Sequence, residues 1–418
     1  MTKLRNLSKT FVNGVQSVYR KVTPPASPSL YPLQRPDYIF KQIVVEDIPV
    51  HTEDDFRLNI TNKHPRKRNP NIMPVFLLPG LGETRFVLDQ ALGNSFVDYL
   101  ALNGFDVYMG ELRGHGKSSS PRERFDWNVD SFLRFDIPAM LHKVKEVSGA
   151  DQVLWVGHSM GGMLLYAYLI EAALHKDSEL FEEGIIRGGI TIGSPVNFDQ
   201  MSLLLPALIY NYSILAKIPY IPTDVLGNLL ASLRMVLDTP LTSHLWNFRN
   251  IEKRNKILYL KDGVDDISQG VMTDFVKFVL NGDFQSSDGK INYRQNLYLV
   301  DTPLLAIGGT GDLLASVDTI QTVFNEVSTK DKEMRIFGKD GMMVGSDGGM
   351  LEVNDHIDYG HVDLTLGRYS KEEVWPYMLR WLRKHAPRHT YDSIGDEPRS
   401  SAKAETPAPA VDDGTVKH

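Results

Sequence analysis

The 418-residue chain contains no cysteine. This excludes disulfides, thiolate metal sites and a thiol nucleophile, and it suits a reducing compartment such as the cytoplasm. No apolar run approaches the about 18 residues needed to span a membrane, and the N-terminus lacks the continuous apolar core of a secretory signal. The net charge is mild, at −7, with no basic stripe, so a nucleic-acid partner is not expected. No grouping of His, Asp and Glu has the spacing of a metal site. Gly308–Gly311 and Gly341–Gly349 are glycine-rich, but they lack the lysine of a phosphate loop and the spacing of a dinucleotide loop. No cofactor or metal is therefore expected, and Gly341–Gly349 reads as a mobile loop.

Residues 1–36 contain no acid, yet carry Lys3, Arg5, Lys9, Arg20, Lys21 and Arg35. Leu4, Leu7, Phe11, Val15, Val18 and Val22 recur there at helical spacing. Three readings stay open for this basic amphipathic segment: docking on the body of the protein, peripheral membrane contact through residues 1–22, or organelle targeting. The Pro-rich run Thr23–Pro36 follows as an extended linker. From Arg388 the composition turns to Pro, Ala, Ser and charge, which reads as a disordered tail over 388–418.

Between these ends, short apolar runs alternate with helical ones. Ile43–Val50 and Phe56–Ile60 read as an antiparallel pair, and the basic run Lys63–Arg68 after them as a solvated turn. Strands are expected at Met73–Pro79, Phe105–Met109, Gln152–Val156, Gly189–Ile192, Pro303–Ile307 and Glu333–Phe337. Helices are expected near Leu88–Leu102, Ser131–Val147, Met160–Leu174 and Lys371–His385. Such alternation implies an α/β fold with a mostly parallel sheet, of eight strands, covered on both faces. Residues 196–300 are too long for a plain connection. Their apolar helical runs Met201–Tyr210, Val225–Leu237 and Gly270–Leu280 predict a helical cap inserted into a core of 37–195 and 301–387.

The chemistry centres on Ser159, in Gly157-His158-Ser159-Met160-Gly161, between an expected strand and an expected helix. A serine on so tight a turn needs small neighbours, and the helix N-terminus behind it favours developing negative charge. A hydroxyl needs a base, and the base needs an orienting acid. Asp312 lies just past a late strand and is the candidate acid; the lesser alternative is that it simply caps a helix beginning near Leu313, and the two roles can coexist. His361, in a loop before the last helix, is the candidate base, with His356 as its competitor. An oxyanion hole requires two backbone donors. Met160 follows the nucleophile, and Leu81 lies in the Gly80-Leu81-Gly82 loop after Pro79.

These motifs resemble an α/β-hydrolase fold over roughly residues 40–386, in the family's order of oxyanion loop, serine elbow, acid and histidine. Gly110–Ser118 is similar to the turn after the family's fourth strand. Tyr359-Gly360-His361-Val362-Asp363 is similar to the histidine loop of acid lipases, so the resemblance points to the lipase and esterase branch. One departure is Pro79-Gly80, where many members carry His-Gly. Serine at 159 also separates the chain from polyhydroxyalkanoate synthases, which use cysteine, and from aspartate-based dehalogenases. The resemblance implies a serine hydrolase acting through an acyl-enzyme on carboxylic esters, and the apolar cap suggests lipid-like acyl groups. Two other classes compete. An acyltransferase would pass the same acyl group to an alcohol, and product analysis separates it; a non-catalytic scaffold would be indifferent to loss of Ser159.

Overall fold

The computed structural model describes residues 42–386, apart from 70–72, 91–93, 119–124, 177, 179, 199–219, 234–237 and 240–241. The basic N-terminal segment, its linker, the C-terminal tail and the run Met201–Tyr210 lie outside the described residues. The first half of the chain gives β1 (Ile43–His51), β2 (Arg57–Pro65), β3 (Val75–Leu78), α1 (Phe96–Leu102), β4 (Val107–Glu111), α2 (Ile137–Ser148), β5 (Val153–His158), α3 (Met160–Leu174) and β6 (Ile186–Ile192). The inserted stretch follows with β7 (Tyr220–Ile221), α4 (Thr223–Leu233), α5 (Lys253–Asp262), β8 (Ile267–Ser268) and α6 (Gln269–Asn281). The chain then returns through β9 (Leu304–Gly309), α7 (Val317–Glu326), β10 (Lys332–Phe337), β11 (Gly341–Val344), β12 (Met350–Val353) and α8 (Ser370–His385).

Every position of β3, β4, β5 and β9 is buried, as expected of strands covered on both faces. Their side chains alternate between two cores. Val153 and Trp155 join Phe76, Met140 and Leu164 on one face of the sheet. Leu154 and Val156 join Leu77, Phe96, Trp375 and Trp381 on the other. Helix α3 is buried almost all the way round, which is the environment its uniformly apolar sequence requires. Parallel pairing runs β4-β3-β5-β6-β9-β10, and an antiparallel hairpin closes each edge, β1-β2 on one side and β11-β12 on the other.

The sheet therefore has ten strands rather than eight. The two additional strands are β11 and β12, and β11 falls within Gly341–Gly349, which was expected to be a mobile loop. Met342, Met343 and Val344 pair with residues 350–352, and Gly348, at φ +78°, helps close the turn between them. The helix expected from Leu88 begins only at Phe96. Ser95 is extended there and its hydroxyl accepts the Asp98 amide at 2.9 Å, which fixes the N-terminus. Helix α5, rich in Lys, Arg and Asn, lacks the apolar density that revealed its neighbours.

The run Lys63–Arg68 is also not simply a solvated turn. Lys63 belongs to β2 and is 1% exposed; its ammonium pairs with Asp89 and, at 2.8 Å, with Asp98 of α1. Ser95 completes the group by donating to Asp89 at 2.7 Å. A buried cation held by two carboxylates joins the sheet to the helix, and removing it would strand two charges. Lys63→Met is accordingly expected to lower unfolding free energy by about 3 kcal/mol or more. Lys67→Met, at an exposed position of the same run, should stay within about 0.5 kcal/mol. Urea titration of both variants checks the contrast, and equal small losses would contradict it.

Candidate active site

β5 passes into α3 through Ser159 alone. The serine takes φ +50° and ψ −120°, a region costly for any residue with a Cβ, on the order of 1–3 kcal/mol. Its amide is anchored to the Ile192 carbonyl of β6 at 2.8 Å, and its carbonyl accepts the Gly162 amide at 3.0 Å. The turn leaves no room beside it. A Cβ on Gly157 would lie 2.4 Å from the Gly161 backbone, and one on Gly161 would lie 2.2 Å from the Leu78 carbonyl oxygen. The glycines of the motif are thus required by packing against backbone, which cannot move aside.

Asp312 follows β9 on the same rim. Its Oδ1 accepts the Leu314 and Ala315 amides at 2.9 and 2.8 Å, while its Oδ2 meets His361 Nδ1 at 2.8 Å. The helix expected near Leu313 begins only at Val317, with Ser316 as its N-cap, so Asp312 holds the turn before α7 and does not cap the helix itself, while its other oxygen is left to the imidazole. The loops bearing the pair are also bonded to each other: Gly311 N donates to Tyr359 O at 2.9 Å, and Thr310 donates to Asp358 at 2.8 Å. His361 is 4% exposed. Gly193, just past β6, lets the pair close in, since a Cβ there would stand 3.1 Å from both Asp312 Oδ2 and His361 Nδ1. His356, the competitor, is exposed, stacks on Tyr369 and pairs with Glu373, away from Asp312.

Burial disfavours a charged His361, but the charge and hydrogen bond of Asp312 outweigh it, with Glu83 and Asp363 adding to the effect. The net result is a pKa above the ordinary value of 6.5. Asp363 is itself pushed up to about 7 by burial, despite accepting the Gly360 amide at 2.9 Å and the Asn247 amide at 3.0 Å. The Asn247 bond, with Val362 N donating to Leu245 O at 2.9 Å, straps the histidine loop to residues of the insertion.

Met160 opens α3, so its amide belongs to the first helical turn, which has no intrahelical acceptor. The Gly80–Glu83 turn passes close against Ser159: a Cβ on Gly80 would lie 2.8 Å from Ser159 Cβ. Within it the Gly80 amide is taken by Glu83 Oε2 at 2.8 Å, while the Leu81 amide has no protein acceptor among the described residues. The insertion is bonded to this turn through Asp265 N to Gly82 O at 2.8 Å and Thr84 N to Gly263 O at 3.0 Å.

Three buried polar residues behind the site were not anticipated from sequence: Glu83, His158 and Tyr259. Each had a weak signal. Glu83 is an acid in a glycine-rich turn that needs none, His158 lies inside the serine motif, and Tyr259 is an aromatic in an otherwise polar helix. Among the described residues, no group of three or more His, Cys, Asp or Glu is disposed to hold a metal ion.

Comparison with known proteins agrees with this architecture. The chain is 34% identical over 88 residues to the lipase lipl-5 of Caenorhabditis elegans, a match covering 19% of this chain and 21% of that protein. It is 32% identical over 143 residues to human lysosomal acid lipase/cholesteryl ester hydrolase, covering 31% of this chain and 36% of the relative. These matches thus span between about a fifth and about a third of the relatives' length. Among solved structures, a soluble variant of monoglyceride lipase from Saccharomyces cerevisiae, in complex with a substrate analog, superposes with a TM-score of 0.53 at 19% identity. That superposition covers 86% of this chain and 99% of the other. Residues 73–339, more than half of the chain, match the family described as alpha/beta hydrolase fold. The chain belongs to the α/β-hydrolase fold family, with lipases among its sequence relatives.

Proposed function

We propose that the protein is a serine hydrolase of carboxylic esters, with Ser159 as nucleophile, His361 as general base and acid, and Asp312 as the group that orients the imidazole. The observation that supports this most directly is the buried Asp312–His361 pair on the same sheet edge as the strained serine turn. With Nδ1 committed to Asp312, the His361 proton acceptor is Nε2. Ser159 Oγ attacks the ester carbonyl as His361 takes its proton, and the carbonyl π pair moves onto oxygen. Leu81 N and Met160 N stabilise that oxyanion. Collapse expels the alcohol, which takes the proton from His361, and leaves an acyl-Ser159 ester. Water then attacks with the same base, releasing the carboxylic acid and restoring the serine.

The insertion and the relatives support a substrate class. α4 exposes Leu226 and Leu229, and the insertion adjoins the oxyanion turn, so we assign residues 196–300 as an apolar cap over the site. Relatives named for cholesteryl ester and monoglyceride hydrolysis agree with a lipid-like acyl group.

Ser159→Ala should abolish fluorophosphonate labelling and lower hydrolysis of p-nitrophenyl esters by at least about 10³-fold. Wild-type rates in that variant would defeat the assignment, and acyl transfer to an added alcohol as the sole product would replace hydrolysis with transferase chemistry. A panel of esters should show kcat/KM rising from acetyl to longer acyl chains.

The pH profile supplies a second test. The base must be neutral in the free enzyme and its pKa is raised, so activity is lost as pH falls and regained as pH rises through a value above 6.5. Asp312→Asn should lower kcat by about 10³ to 10⁴-fold and move that limb to lower pH. An unchanged limb would remove Asp312 from the role given to it.

A further inference from the structure

Behind the serine turn lies a second pairing of a carboxylate with an imidazole, and the chemistry above does not use it. Glu83, His158 and Tyr259 are all nearly inaccessible to solvent. Glu83 Oε2 accepts the Gly80 amide at 2.8 Å and faces His158 Nδ1 at 2.7 Å, while Oε1 accepts the Tyr259 hydroxyl at 3.1 Å. On the other side of the ring, His158 Nε2 lies 3.3 Å from the His361 carbonyl oxygen. Both nitrogens of His158 thus face oxygen atoms, one of a carboxylate and one of a backbone carbonyl. The His158 and His361 rings lie 4.9 Å apart.

This one carboxylate touches three parts of the machinery and reaches a fourth through His158. Gly80 opens the oxyanion turn, His158 precedes the nucleophile, His158 in turn backs the loop of the base, and Tyr259 sits on α5 of the insertion. Burying a carboxylate without partners is costly, yet Glu83 remains the anionic member of the cluster. Burial raises its pKa, but the charge and hydrogen bond of His158, the charge of His361 and the Gly80 amide together bring it below the ordinary glutamate value.

We infer that Glu83 is a positioning residue for the Ser159 reaction: its carboxylate, tied at once to Gly80, His158 and Tyr259, holds the oxyanion turn, the backing of the catalytic histidine and the insertion in one working arrangement. The inference rests on the function proposed above. With the Gly80 amide occupied by Glu83, the donor left to a substrate oxyanion in this turn is Leu81. Because Tyr259 reports the seating of α5 to the same carboxylate, displacement of the insertion loosens the oxyanion turn.

Glu83→Gln keeps the shape and one acceptor but removes the charge, and Glu83→Ala removes all three ties. The charged and titratable groups facing His361 are Asp312, Glu83, Asp363 and the adjacent His158. Losing Glu83 removes one of the carboxylates holding the His361 pKa up, so the acid limb of kcat/KM in Glu83→Gln moves to lower pH. The expected falls in kcat are about 10-fold for Glu83→Gln and about 10²-fold for Glu83→Ala, the scale of disturbing one oxyanion donor, with KM changing far less. A role confined to stability would lower the melting temperature and move neither kcat nor the limb. Tyr259→Phe, which deletes one hydroxyl, should cost several-fold in kcat and covers the case in which Glu83→Ala does not fold. Folded Glu83→Gln and Tyr259→Phe with wild-type kcat and an unmoved acid limb would overturn the inference. Ser159→Ala measured alongside keeps the two failures apart. Activity that survives loss of Ser159 sinks the proposed function, whereas activity that depends on Ser159 and ignores Glu83 sinks this inference alone.

Discussion

At Ser159 a strand becomes a helix with no residue spared for the turn, and the φ of +50° that this requires constrains everything around it. The serine can hold that conformation because its amide is bonded to β6 and its carbonyl to the helix it starts. Gly157 and Gly161 are there because the backbones of β3 and α3 occupy the space that side chains would need. Strain of this kind persists only where surrounding packing fixes it, and here the packing is the buried parallel sheet with α3 pressed into its middle.

A second constraint follows from placing ionisable groups in that interior. Carboxylates such as Asp312, Asp363 and Glu83 lose their hydration on folding, and each is compensated locally by amides, an imidazole or a hydroxyl. The Lys63 triad uses the same device for a structural purpose, tying β2 to α1. Such networks tolerate little substitution, since removing one member leaves the others desolvated and unpaired.

The parts of this design written in local sequence were legible before any coordinates. Buried strands are continuous apolar runs, so β3, β5 and β9 were visible, and with them the rim on which Ser159 and Asp312 sit. The more polar stretch around His356 favours His361 over it, and it is His361 that the fold brings to Asp312. What could not be read depends on contacts between distant segments. The glycines of 341–349 look like a loop until β10 offers a pairing edge. Lys63 looks like a surface charge until Asp89 and Asp98 arrive from elsewhere in the chain. Glu83, His158 and Tyr259 come from three separate elements, and only folding makes them a cluster.

Asp312 spends one oxygen on two backbone amides and the other on the imidazole, so neither its own torsions nor the tilt of the ring is left to thermal averaging. The entropy of aligning imidazole and carboxylate is thereby lost once, when the chain folds. In the reaction proposed above, an incoming ester would meet a proton acceptor already pointed, and its binding energy could go into ordering its own chain.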